Sequence, residues 1–423
     1  MSAVWLHVGQ CGNQIGQEWW RIITEGAGHS IEADRYPFLS RDGKLGAICV
    51  DSEPKVLRKA QKLVKHGSFR ESNLIVGQEG RGSNWAYGYY GPPSEGERGL
   101  LQRTMESFRK ETERKDCYSG TVLFHSLSGG TGAGLGARLC EEIREAYPLG
   151  HILSVSVAPH QAGESPLQHY NNLLCLAALQ RSTDGVLLFH NDEALSRVLS
   201  LQSRIPSSLS GPQAQVSLSS MNSHIASCLA GLLHPVHNLT TPSGISLGLE
   251  PWELLRSVSP VPATKFLHTT QAHTSTVLWD SLAASTLQML PRHSPSGKPH
   301  YSSAVLAVAR GGQSKSFLSS LDPVLRRLRH GHHCAAWNPF PIDYWTDPQD
   351  VVSPSPSSCS LTVCSNHSSV TDLLQRVGER AHDMFQARAY LHWYHRYGCE
   401  DQDFLQAFDA LRTVTEEYRA GEE

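Results

Sequence analysis

The chain has 423 residues, enough for two or three domains with cores of their own. Its net charge of −3, with 18% charged residues, leaves no basic surplus and argues against nucleic acid as the main partner. No apolar run reaches membrane-spanning length, no leader-like segment opens the chain, and the ten cysteines include no Cys-x-x-Cys pair; we expect a cytoplasmic protein with reduced thiols, without membrane, disulfide framework or zinc site.

In chain order, residues 3–8 read as a short apolar strand. Gly9-Gln-Cys-Gly-Asn-Gln-Ile-Gly16 follows, and then a helical stretch with Trp19, Trp20, Ile22 and Ile23. Gln10, Asn13 and Gln14 put amide groups at a helix N-terminus, which suits phosphates; a tight turn with ordinary caps would use the same residues. Residues 46–51 are a strand ending in Asp51-Ser-Glu-Pro54. Acids at the end of a strand in an open α/β sheet suit magnesium beside phosphates, and equally suit helix capping by Asp51 or Ser52. Residues 80–90, rich in Gly and Tyr, are expected to be a loop, and residues 99–115 a charged helix.

The stretch 121–136 dominates the first half. Residues 121–127 read as a buried strand, 128–134 as a glycine loop, and a helix begins near Leu135. Such a loop lets backbone N–H groups approach a phosphate, and the helix dipole points at the same place. Residues 151–158 and 185–190 read as strands, 167–181 and 193–201 as helices. Strands alternating with helices predict a doubly wound α/β domain with a parallel sheet.

Residues 203–215 look like a connection. The apolar spacing of Leu218, Met221, Ile225, Leu229 and Leu232 predicts a long helix over 216–233, with Asn222 as its polar outlier. Asn222 could face a bound base or simply pack on a solvated helix side. Further on we expect helices at 249–257, 276–290 and 317–330, and strands at 264–270, 303–310, 334–337 and 361–365. Pro/Ser loops cover 291–300 and 353–358. Helices at 371–396 and 401–419 close the chain, the last amphipathic through Phe404, Leu405, Phe408 and Leu411. The expected division is a nucleotide domain (1–202), a connecting segment and core helix (203–235), a second α/β domain (236–370) and a C-terminal helical hairpin (371–423).

The glycine loop belongs to neither common phosphate motif. A dinucleotide fingerprint wants an acid at the end of the next strand, and that strand ends at Ala158-Pro159. A Walker loop wants Gly-Lys-Ser/Thr, which is absent. The residues alone support a nucleotide-binding α/β protein.

A resemblance narrows this. Gly9 to Gly16, Gly129-Gly-Thr-Gly-Ala-Gly134, Asp51-x-Glu53-Pro54 and Asn84-Trp-Ala86 stand in the order and spacing seen in tubulins, and the likeness extends over nearly the whole chain. Glu53-Pro-Lys-Val56, Asn84 to Tyr89 and Gly163-Glu-x-x-x-Gln168-x-Tyr-Asn171 look most like delta tubulin, with zeta tubulin a close competitor. That group is associated with centrioles, basal bodies and cilia. The implied ligands are GTP or GDP with Mg2+. The implied partners are other tubulins (alpha/beta, epsilon or the protein itself) and centriolar proteins.

By resemblance, Gln10 and Cys11 with Ser128, Gly129, Gly130, Thr131 and Gly132 hold the GTP phosphates. Glu53 sits near Mg2+, Asn84 near phosphates and sugar, and Asn222 and Gln202 at the base. The base-stacking aromatic of alpha and beta tubulin is replaced by Leu218. The acid near the ribose is replaced by Ala158, for which Glu164 could substitute. The resemblance also implies hydrolysis completed in trans by Glu250 and Glu253, which lie at i and i+3 on one helical face. The same two residues would also serve as first-turn glutamates that favour a helix dipole. Residues 291–300, read as the lateral-contact loop, and the short ending Arg419 to Glu423 both differ from a bulk microtubule subunit.

Overall fold

The computed structural model describes residues 2–26, 38–40, 42–63, 69–92, 99–163, 165–203, 216–236, 248–275, 278–312, 314–352 and 358–422. The first half alternates strand and helix. It runs β1 (Ala3–Val8), α1 (Gly9–Gly26), β2 (Ala47–Asp51), α2 (Pro54–Leu63), β3 (Leu74–Val76), α3 (Trp85–Tyr90), α4 (Leu100–Glu113), β4 (Gly120–Ser126), α5 (Gly136–Ala146), β5 (His151–Ala158), α6 (Gln168–Ser182), β6 (Gly185–His190) and α7 (Asn191–Gln202). The long helix α8 (Leu218–Leu233) and the short α9 (Leu254–Val258) come next. The second half contains β7 (Phe266–Thr274), α10 (Trp279–Leu287), β8 (Ser302–Gly311), α11 (Ser314–Ser319), α12 (Leu321–Gly331), β9 (Ile342–Asp347) and β10 (Cys359–His367). Helices α13 (Val370–Gln386), α14 (Leu391–His395) and α15 (Asp401–Ala420) finish it.

The ten strands among the described residues form one sheet in the order β3-β2-β1-β4-β5-β6-β7-β10-β8-β9. The first six are parallel, because each connection carries a helix that returns the chain to the same edge. β7 continues parallel to β6 (Val186 opposite Phe266), so the sheet runs unbroken into the second half. There β10 is antiparallel to both β7 and β8, and β9 pairs parallel to β8. Core residues of α4, α5, α6, α13 and α15 cover one face of the first half. Those of α1, α7, α8 and α9 cover the other, where Trp5 stacks on Trp19 at 4.9 Å. A third core lies between α10, α11, α12 and the strands β8 and β10. No helix among the described residues is long and apolar enough to cross a membrane. All ten cysteines are free thiols.

Four sequence expectations are corrected. Residues 85–90 are helical, not loop: the Asn84 side chain caps Tyr87 N–H, and Gly88 lets the helix approach the Gly130 carbonyl so closely that a Cβ would lie 1.9 Å from it. The expected helix 371–396 breaks between Gln386 and Leu391, where Arg388 and Tyr390 adopt positive φ. Long-range hydrogen bonds hold the break, from Tyr170 Oη to the Ala389 carbonyl and from Asn84 Nδ2 to the Trp393 carbonyl. Residues 334–337 make a single bridge, Cys334 to Ser302, and the strand lies instead at β9. The helix expected over 317–330 is two helices, α11 and α12.

The two halves are also joined by a charge pair, His268 Nε2 to Glu193 Oε2 at 3.0 Å. Burial pushes the Glu193 carboxyl up, but the His268 charge and hydrogen bond outweigh it and hold it down at about 2. Burial pushes the His268 imidazole down, but Glu193 outweighs that and raises it. The carboxylate's stabilisation is therefore complete above its ordinary value of 4.5 and lost as pH falls towards 2. The imidazole's is complete below its ordinary 6.5 and lost as pH rises through the raised value. Glu193→Gln should therefore lower the melting temperature most between pH 4.5 and 6.5, and progressively less as pH rises through the raised His268 value, measured by thermal unfolding across a pH series.

Candidate functional site

The strand order 3-2-1-4-5-6 reverses direction of winding between β1 and β4. A crevice opens at the carboxyl ends of strands at such a point. The helix α1 leaves β1 there at Gly9, and a π-helical turn (Gly130–Leu135) leading into α5 leaves β4 beside it. Their backbones touch. Gly9 has φ +73°, and a Cβ on it would lie 2.8 Å from Gly132 N. Two helix N-termini therefore open onto one cleft of about 520 Å³. First-turn N–H groups lack acceptors within their own helix and, with the dipoles, favour an anion.

Gln10, Cys11, Glu53, Ser128, Gly129, Gly130, Thr131, Gly132 and Asn222 all line this cleft. So do Asp51, Leu218 and Gln14. Asn222 Nδ2 donates to Gln14 Oε1 at 3.3 Å, joining α8 to α1 across it. Ser52 and Thr131 share a hydroxyl hydrogen bond of 2.6 Å, which ties the acidic strand end to the glycine loop. Burial, with the nearby Glu53 charge adding to it, pushes the Asp51 carboxyl up to about 6. A bound cation would favour its ionised form. Asp51 and Glu53 with the two hydroxyls are hard oxygen donors, a set that fits Mg2+ shared with phosphates and water. Among the described residues no group of three or more His, Cys, Asp or Glu could hold a metal by itself. Burial pushes the Cys11 thiol up to about 12, so it stays protonated at neutral pH.

Other expected residues lie elsewhere. Asn84 is absent from the lining, because its Oδ1 caps α3 and its Nδ2 holds Trp393. Asn13 Nδ2 turns back to the carbonyls of Gly9 and Val50 at 2.9 and 2.8 Å. Gln202, at the far end of α7, is also outside the lining; Asn191 at its near end is inside. Ala158 is buried at the end of β5, and Glu164 lies outside the described residues. His160, braced by Asp192 at 2.7 Å, occupies that side of the cleft. Glu250 and Glu253 stand at the opposite, amino ends of the strands, beside His151 at the start of β5. Glu250 accepts from Ser2, and Glu253 accepts from the N–H groups of Gly248, Leu249 and Glu250, completing a capping box.

Two residues escaped sequence reasoning. Arg81 is buried in the cleft wall with its guanidinium 4.9 Å from the Tyr87 ring centre. Only its place in a glycine stretch hinted at this. Asn171 is fully buried and ties four segments together. Its Nδ2 donates to the carbonyls of Ser83 and Ser128, both at 2.7 Å. Its Oδ1 accepts from Trp85 N–H at 2.9 Å and Tyr394 Oη at 2.7 Å.

Residues 2–198 match the GTPase domain of the Tubulin/FtsZ family. That part of the chain is a GTPase domain of the Tubulin/FtsZ family, and the whole chain is similar to tubulins. It is 26% identical over 440 residues to a tubulin beta chain of Schizophyllum commune, covering 98% of this chain and 94% of the relative. It is 27% identical over 476 residues to a tubulin delta chain of Macaca fascicularis, covering 99% of each. The delta chain of Canis lupus familiaris matches at 27% over 473 residues. The family's GTPase domain implies GTP and GDP as ligands, and the cleft has backbone donors for their phosphates. Two substitutions probe the cleft wall and the scaffold behind it. Arg81→Gln should weaken nucleotide binding by about tenfold or more with little loss of fold, read as Kd beside the melting temperature. Asn171→Leu leaves buried polar groups unpaired and should cost about 1–3 kcal/mol in chemical denaturation.

Proposed function

We propose that this chain is a GTP-binding structural protein of the centriolar tubulin group, delta- or zeta-like, which supports centriole, basal body or cilium assembly by nucleotide-dependent association with other tubulins. The observation that carries the reading is the cleft where two helix N-termini meet beside an acidic strand end. Full-length likeness to delta chains supports the group. On this reading the N–H groups of Gln10, Cys11 and residues 128–132 hold the phosphates, with Arg81 facing them. Glu53, Asp51, Ser52 and Thr131 are the residues that would hold Mg2+, whose charge offsets that of the phosphates. Asn222 gives one amide hydrogen to Gln14 and keeps its other hydrogen and its oxygen for guanine's edge. Leu218, 58% exposed at the start of α8, covers the base without an aromatic face.

Glu250 and Glu253 lie at the end that a head-to-tail neighbour would bring to the next molecule's cleft, where they would position the attacking water. Partners on this reading are alpha/beta tubulin, epsilon tubulin, further copies of the chain and centriolar proteins, with the centrosome and basal body as its place. One observation favours a second reading. Both carboxylates are engaged in the capping box, which suits a nucleotide-stabilised binding module that hydrolyses nothing.

Purified protein is expected to release GTP or GDP on denaturation. GTP turnover should rise with protein concentration, alone or with alpha/beta tubulin, and fall by about tenfold or more in Glu250→Gln/Glu253→Gln at unchanged GTP affinity. Tight GTP with no turnover under any condition would leave the binding module alone. Lack of any bound guanine nucleotide would sink both readings.

A further inference from the structure

We propose that His125 is a positioning residue for phosphate binding, holding the glycine loop in its π-helical turn by taking the carbonyl that this turn leaves over. The inference rests on the reading of the cleft as a phosphate site. His125 is fully buried on β4, directly beneath the loop. The N–H of Gly136 bonds to the carbonyls of Thr131 and Ala133, and so bypasses Gly132, the acceptor an α-helix would use. The Gly132 carbonyl instead meets His125 Nδ1 at 3.1 Å, with the Ser126 carbonyl at 3.2 Å. Both partners of Nδ1 are acceptors, which assigns the hydrogen to Nδ1. Nε2 is then an acceptor, and Ser154 Oγ and Ser156 Oγ stand at 2.8 and 2.9 Å from it. The two hydroxyls are 2.8 Å apart, so one donates to the ring and the other to its neighbour.

Burial pushes the imidazole down to about 4, against the pull of the two carbonyls, so the ring is neutral at physiological pH. Its part is orientation, not proton transfer. A peptide's C=O and N–H point in opposite directions along a helix. Fixing the Gly132 carbonyl away from the cleft therefore keeps the first-turn N–H groups aimed into it. The loop also sits on the ring face: a Cβ on Gly136 would lie 3.3 Å from Nδ1. Without the His125 donor, the Gly136 N–H can recapture the Gly132 carbonyl. The turn then tightens to α-helical spacing and re-aims the donors.

The test compares full-length wild type, His125→Asn and His125→Leu, with GTP and inorganic tripolyphosphate as separate probes. Asparagine keeps a donor near the Nδ1 position, and leucine fills the space without one. His125→Leu should raise Kd for both probes by about tenfold or more, and His125→Asn should stay within about threefold of wild type. A packing role alone would lower the melting temperature and leave both Kd values unmoved. Equal binding by His125→Leu and wild type, or equal weakness of the two variants, would overturn the proposal. If His125→Leu does not fold, Ser154→Ala/Ser156→Ala removes the groups that hold the ring; a rise of a few fold in Kd supports the proposal and no change overturns it. Wild type that binds tripolyphosphate but not GTP would refute the proposed function, and His125 would be judged on the tripolyphosphate values. Wild type that binds neither would refute both.

Discussion

Gly9 lies so close to Gly132 that a side chain on Gly9 has no room, and a side chain on Gly132 would run into Ser126. That contact forces β1 and β4 to be neighbours and brings the starts of α1 and of the turn before α5 to the same point. Two partial positive ends then add within a few ångströms, in a cleft that also presents Arg81 and Lys55. The acids Asp51 and Glu53 line the same site from the end of β2, Asp51 buried and Glu53 exposed, and burial raises the Asp51 carboxyl. Beside a bound phosphate such a pair would favour a cation, as like charges repel. The chemistry of the cleft thus follows from one close backbone approach.

The remainder of the molecule is tied to that cleft by buried polar contacts. Helix α8 starts at the cleft with Leu218 and Asn222 and ends under β8. There Arg310, fully buried, donates to the carbonyl of Gly231 at 2.8 Å and to that of His234, and faces Asp347 at 3.8 Å. An arginine so placed satisfies the open carbonyls of a helix C-terminus and offsets its dipole. Asn171 does the same service for the loops, binding Ser83, Trp85, Ser128 and the C-terminal Tyr394 through one amide. The C-terminal helices are therefore part of the site's support, although none of their residues lines the cleft.

Much of the first half was legible. Continuous apolar strands, glycine turns and amphipathic helices each carry their own period, and local physics is enough to read them. The misreadings share one cause. Residues 85–90 carry poor helix formers, and become helical because Asn84 caps them and the glycine loop leaves a groove for Gly88. Strand β9, Ile-Asp-Tyr-Trp-Thr-Asp, is a half-buried edge strand whose acids hide its alternation. The break at 387–390 has no proline or glycine to mark it; contacts from Tyr170 and Asn84, some 220 and 310 residues away, impose it.

The same division holds for the site. Sequence by itself determined the glycine composition of the turn after β4 and the acidic end of β2, because these depend on residue types within a few positions of one another. Tertiary structure alone decided which residues meet. It withdrew Asn84 and Gln202 from the cleft, admitted Arg81 and His160, and set Glu250 and Glu253 into a cap at the amino ends of the strands. It also put His125 beneath Gly132, an inward-facing histidine on a strand being indistinguishable from a core residue until the carbonyl above it is seen. Hydrogen-bond partners far apart in sequence are chosen by packing, and no local pattern encodes them.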